Sequence, residues 1–183
     1  KGTYTYKVII TAGGKNYTAG KYKFKVIKLN GPSAIVNTAI SLAWPEKTPV
    51  STYKKSPTNA QRSAGKKCGV SAAADCGNFA TIVLRNALGN NSIPNFLNAA
   101  LNTKGSLKLM QAKAKPYGFT AFNWDGNINS LYPGDVLVYK KNGNTSSGRG
   151  QHIFIYLGNR KVAEASHTKH YYGYIDTKTP GNS

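Results

Sequence analysis

Cys76 directly follows Asp75 and opens a segment in which Phe79, Ile82 and Val83 recur at helical spacing before Gly89. Aspartate is a favoured N-cap and glycine a favoured stop, so the pattern predicts an amphipathic helix with Cys76 at its first position. A thiol there feels the positive end of the helix dipole and the unpaired backbone N–H groups, which favour the nucleophilic thiolate. A free cysteine is otherwise commonly a small buried hydrophobe. His152 tips the balance towards chemistry. It begins the apolar run His152-Ile153-Phe154-Ile155-Tyr156-Leu157, reached from Pro133-Gly134-Asp135 through Val136-Leu137-Val138-Tyr139 and a polar stretch from Lys140 to Gly150. That layout predicts a hairpin with His152 on its second strand. An imidazole facing a thiol at a helix tip can take the thiol proton and return it to a leaving amine.

The order Asp-Cys-x-x-Phe, Pro-Gly-Asp with an apolar strand, His-Ile-Phe-Ile-Tyr-Leu-Gly-Asn and Val-Ala-Glu-Ala resembles the NlpC/P60 family of papain-like cysteine peptidases, which cut cell-wall peptides. The likeness spans roughly Ile35 to Tyr174. It implies Cys76 as nucleophile, His152 as base and, on the strand after the histidine strand, Glu164 as the group that orients the imidazole. Members more often have histidine at that third position. A carboxylate accepting from the second ring nitrogen would also fix the tautomer, and the related CHAP amidases use a glutamate similarly. Ser166, His167 and His170 follow closely, and a strand register one step different would bring one of them to the imidazole instead. The family's serine after the nucleophile is replaced by Gly77. Asp75 is retained and could meet a peptide's ammonium group or serve only as a helix cap, and Tyr53 is a candidate to line the cleft.

The resemblance implies hydrolysis of a wall-peptide amide through a thioester, with no cofactor, outside the cell or at its surface. Two other readings stay open: a wall-binding adhesin module without catalysis, and an acyl transferase in which an amine replaces water. Cys68 and Cys76 could close a short disulfide that silences the nucleophile, but the helix-tip setting of Cys76 favours free thiols. Two cysteines without a second CxxC or HxxxH unit make a poor zinc framework, so no metal is expected.

The 183 residues carry 25 Lys plus Arg against 6 Asp plus Glu, a formal charge of +19. Such a field concentrates polyanions. The charges are dispersed and no common nucleic-acid motif occurs, so nucleic acid is not expected; anionic wall polymers are the partners that suit the resemblance, against a generally basic surface with no such role. No apolar run is long enough to span a bilayer and no signal peptide stands at Lys1. The absence of an initial methionine predicts a segment of a longer or processed protein.

Two domains are expected. In residues 1–30, Tyr4, Tyr6, Val8 and Ile10 alternate with polar residues, Gly13-Gly14-Lys15 marks a turn, and Tyr22, Phe24 and Val26 alternate with Lys21, Lys23 and Lys25. This predicts a β hairpin with one apolar and one cationic face, packed on the catalytic domain or closing a sandwich like the Ig-like repeats of surface adhesins. Residues 31–183 form the catalytic domain, after a boundary at Asn30-Gly31-Pro32-Ser33. There, Ser33 is expected to cap a helix bearing Ile35, Val36, Ala39, Ile40 and Ala43 and ended by Pro45. From Glu46 to Ala74 the chain reads as a long irregular connection. Helices are expected over Asn95–Leu101 and Ser106–Lys115, a short strand over Phe119–Phe122, Trp124 in the core, and strands near 135–140, 152–157, 161–165 and 170–175. Helices first and an antiparallel sheet after give an α+β, papain-like order.

Overall fold

The computed structural model describes residues 2–12, 15–26, 31–103, 106–140 and 151–177. The chain divides into two compact units, Lys1–Asn30 and Gly31–Ser183. In the first, β1 (Gly2–Ala12) and β2 (Lys15–Val26) pair antiparallel from Gly2 opposite Val26 to Ala12 opposite Lys15, with a register shift after Val8. The turn expected at Gly13-Gly14, the boundary residue Asn30, the side chains of this hairpin with their expected faces, and the polar stretch at 141–150 lie outside the described residues.

The second unit is a mixed α/β structure in which helices precede a four-stranded antiparallel sheet, compatible with the α+β order. The sheet runs β3 (Val136–Lys140), β4 (Gln151–Gly158), β5 (Lys161–Ser166), β6 (Tyr171–Thr177), each strand beside its neighbour in sequence. Both faces are covered, which is why β4 reads as an unbroken apolar run rather than an alternating one. Ile153 and Ile155 enter the main core, while Phe154 and Tyr156 join a smaller cluster with Ile128, Leu131, Leu137 and Val162.

The central helix, α4 (Cys76–Leu88), was expected to be amphipathic but is buried on most sides, from Cys76 through Ala87. It packs against β4 and β5 and against three helices: α1 (Pro32–Leu42), α3 (Asn59–Cys68) and α5 (Phe96–Asn102). Phe79 and Ile82 are fully enclosed, and each such side chain contributes about 1.5–3 kcal/mol by leaving water. Gly173 of β6 lies so close to the Phe79 ring that a Cβ there would collide with it.

Several local expectations are corrected. Ser33 does not cap α1. The helix starts from Gly31 with Pro32 at its first turn and no side-chain cap, because proline's fixed φ and missing N–H suit that position. Pro32 packs on the Pro133-Gly134-Asp135 turn, where Gly134 has φ +97° and a Cβ would stand 2.7 Å from Pro32. The stretch from Glu46 to Ala74 is not irregular throughout, since it holds α2 (Val50–Tyr53) and α3. The buried stripe of α3 consists of Gln61, Gly65 and Cys68, which helical spacing conceals because two of the three are not hydrophobes. Phe119–Phe122 is not a strand: the Gln111 side chain accepts from Ala121 N–H at 2.6 Å and donates to the Phe119 carbonyl at 3.3 Å, standing in for a strand partner. Trp124 is half-buried, edge-on to Phe154 with ring centroids 6.5 Å apart, rather than fully in the core. The helices α5 and α6 (Leu107–Ala114) are capped by Asn95 and Ser106.

Candidate active site

Asp75 caps α4 from an extended backbone, its Oδ1 accepting the Asn78 N–H at 3.0 Å. Cys76 therefore occupies the first helical position, 5% exposed. Gly77 next to it has a packing cause. A Cβ there would lie 2.6 Å from the amide nitrogen of Asn95, whose Oδ1 accepts from the N–H groups of Leu97 and Asn98. The starts of α4 and α5 interlock at this point, and a serine in place of Gly77 would push Asn95 off its cap.

His152 lies in β4, paired in register with Tyr139 of β3. Its Nε2 is 2.7 Å from Oε2 of Glu164, and a second hydrogen bond joins the ring to Cys76. Burial opposes a charge on the ring, but the hydrogen bonds to Cys76 and Glu164 and the negative charge of both outweigh it, raising the His152 pKa from 6.5 to about 9. Glu164 is 3% exposed. A buried carboxylate needs partners for both oxygens. Its Oε1 accepts from the Tyr174 hydroxyl at 3.1 Å, and Tyr174 stands directly opposite Glu164 in the β5–β6 ladder.

Of the groups that follow Glu164, the Ser166 hydroxyl accepts the Lys169 N–H, and His167 and His170 are exposed in the β5–β6 turn with their rings 6.0 Å apart. Glu164 is the group beside the imidazole. No protein-family model, curated protein or solved structure matches this chain.

Tyr53 stacks on Tyr174 with centroids 4.5 Å apart and planes 3° from parallel, and meets Tyr171 edge-on at 5.1 Å. It thus reaches the site through Tyr174. Both thiols are free. Cys68 ends α3 and donates weakly to the Gly65 carbonyl at 3.6 Å. Among the described residues no group of three or more His, Cys, Asp or Glu is placed to hold a metal ion, and no helix is long and apolar enough to cross a membrane. Sequence reasoning missed Asn95 and Tyr174. Asn95 follows a proline and precedes an apolar pair, a cap signal without a chemical one. Tyr174 could be found only by fixing the β5–β6 register, which shifts between Glu164 and Ser166.

Proposed function

We propose that the unit 31–183 is a papain-like thiol hydrolase of the NlpC/P60 kind, cutting an amide bond in a cell-wall peptide at or outside the cell surface. The observation that carries this reading is the series Cys76, His152, Glu164, joined by hydrogen bonds at the start of a buried helix. The Cys76 sulfur, as thiolate, attacks the carbonyl carbon. The oxyanion is held by the Cys76 backbone N–H, which has no acceptor within the helix. The His152 imidazolium, kept charged and oriented by Glu164, protonates the departing amine and leaves a thioester on Cys76. His152, now neutral, draws a proton from water, which attacks the thioester and releases the acid. Each step uses side chains already in place, and none calls on a cofactor. The +19 charge supports a substrate embedded in anionic polymer.

The test is to incubate the protein and its Cys76→Ala form with purified wall material and follow released peptides by mass spectrometry. The unaltered protein should release peptides with new carboxyl ends, and Cys76→Ala none. Hydroxylamine added to the reaction should yield some hydroxamate from the thioester; hydroxamate in place of all free acid would mark a transferase. Release of no peptide from any wall type would sink the hydrolase reading.

A further inference from the structure

We propose that Tyr174 is a positioning residue of this site: its hydroxyl fixes the Glu164 carboxylate so that the other oxygen meets His152, and the Tyr53 ring stacked on Tyr174 holds that hydroxyl in place. The inference rests on the reading of Cys76, His152 and Glu164 as a catalytic set.

Glu164 has three side-chain torsions and projects from a strand, so a bond to the imidazole alone would leave its carboxylate free to swing about that contact. Two bonds, one to each oxygen, remove that freedom: Oε2 to His152 at 2.7 Å and Oε1 to Tyr174 at 3.1 Å. The phenol is itself held. Tyr53 lies flat on its ring, and Tyr171 meets it edge-on with centroids 5.8 Å apart. Burial first, and then the Glu164 charge, push the Tyr174 pKa well above the ordinary phenol range, so the hydroxyl stays a donor wherever the site works. The ionisable groups around this chain are Cys76 from α4, Glu164 from β5, Tyr171 and Asp176 from β6 and Tyr53 from α2, with Asp176 acting on both Tyr53 and Tyr174. Tyr53 is thus assigned to support Tyr174 rather than to touch substrate.

The experiment measures the rate of iodoacetamide alkylation at Cys76 in the full chain against pH, which needs no substrate. Glu164→Gln, Tyr174→Phe, their double variant and Tyr53→Leu are compared. Tyr174→Phe should slow alkylation at pH 7 roughly tenfold, the size expected for a hydrogen bond to a charged group, and move the alkaline end of the profile to lower pH. The double variant should be no slower than Glu164→Gln, because the tyrosine acts through the carboxylate. Tyr53→Leu should show a smaller change in the same direction, and it carries the test if Tyr174→Phe fails to fold. With a cleavable substrate, Tyr174→Phe should lower kcat and leave KM unchanged. If Glu164→Gln is itself silent, the catalytic set falls and the inference with it. If Glu164→Gln acts while Tyr174→Phe superimposes on the unaltered protein, or if the two effects multiply, the positioning role alone is overturned.

Discussion

The proton on His152 links the chemistry of the site to its stability. A histidine whose pKa rises from 6.5 to about 9 on folding stabilises the folded state in full below about pH 6.5, and this contribution is lost as pH rises through about 9. In the proposed mechanism the same window bounds catalysis, because there the imidazolium supplies the proton to the leaving amine. We expect kcat/KM to fall above about pH 9, and NMR titration of the His152 ring to give a midpoint near that value. In Glu164→Gln both should move to lower pH, since a hydrogen bond and a negative charge that support the cation are gone. A ring that titrates near 6.5 in the unaltered protein would show that Cys76 and Glu164 do not hold its proton.

Among the elements, α3 is the least ordinary. Gln61 is fully enclosed, and among the described residues neither its amide oxygen nor its amide nitrogen has a partner. Thr58 and Gln61 have the sequence of a reciprocal capping pair, yet only one half forms: the Thr58 hydroxyl accepts the Gln61 N–H at 2.9 Å. Leaving buried amide atoms unpaired costs about 1–3 kcal/mol. Gln61→Met, of similar size and without that cost, should therefore hold or raise the midpoint of thermal unfolding, and a fall of several degrees would show that the amide is bonded in solution. The same helix marks where the sequence ceased to be legible. Hydrophobic spacing located α1, α4 and the four strands because Ile35, Phe79 and Ile155 repeat on buried faces. It passed over α3 because Gln61, Gly65 and Cys68 carry no such signal. Cys76 and His152 were readable from residue type and order and Glu164 through the family resemblance, whereas Tyr174 depended on strand register and Asn95 on a contact between two helix starts. Neither of these is written in local composition.

Across the whole molecule the charge is distributed with a pattern. Lys1–Asn30 holds seven lysines and no acidic residue, and the remaining 18 basic and 6 acidic residues leave Gly31–Ser183 at +12. Every one of the six carboxylates bonds within the chain: Glu46 to Lys161, Asp75 to the start of α4, Asp125 and Asp135 in turns, Glu164 to His152, Asp176 to the Thr177 N–H. Acidic residues thus stand where local structure employs them, against an excess of cations. Co-sedimentation with anionic wall polymer should accordingly be strong at low salt and weaken as ionic strength rises, since exposed charges are screened beyond about 8–10 Å near physiological salt. Cys76→Ala should sediment like the unaltered protein, and binding indifferent to salt would remove charge as its basis. The second thiol carries a different consequence. Cys68 is 3% exposed at the end of α3, eight positions before Cys76, its thiol bonded to the Gly65 carbonyl and its own carbonyl accepting from Arg85 of α4 at 3.0 Å. A reagent reaches it when α3 lifts from the core, so its labelling rate clocks the opening of the fold while Cys76 reports the site. The chain is its own two-channel recorder, able to tell a variant that has lost its chemistry from one that has lost its structure.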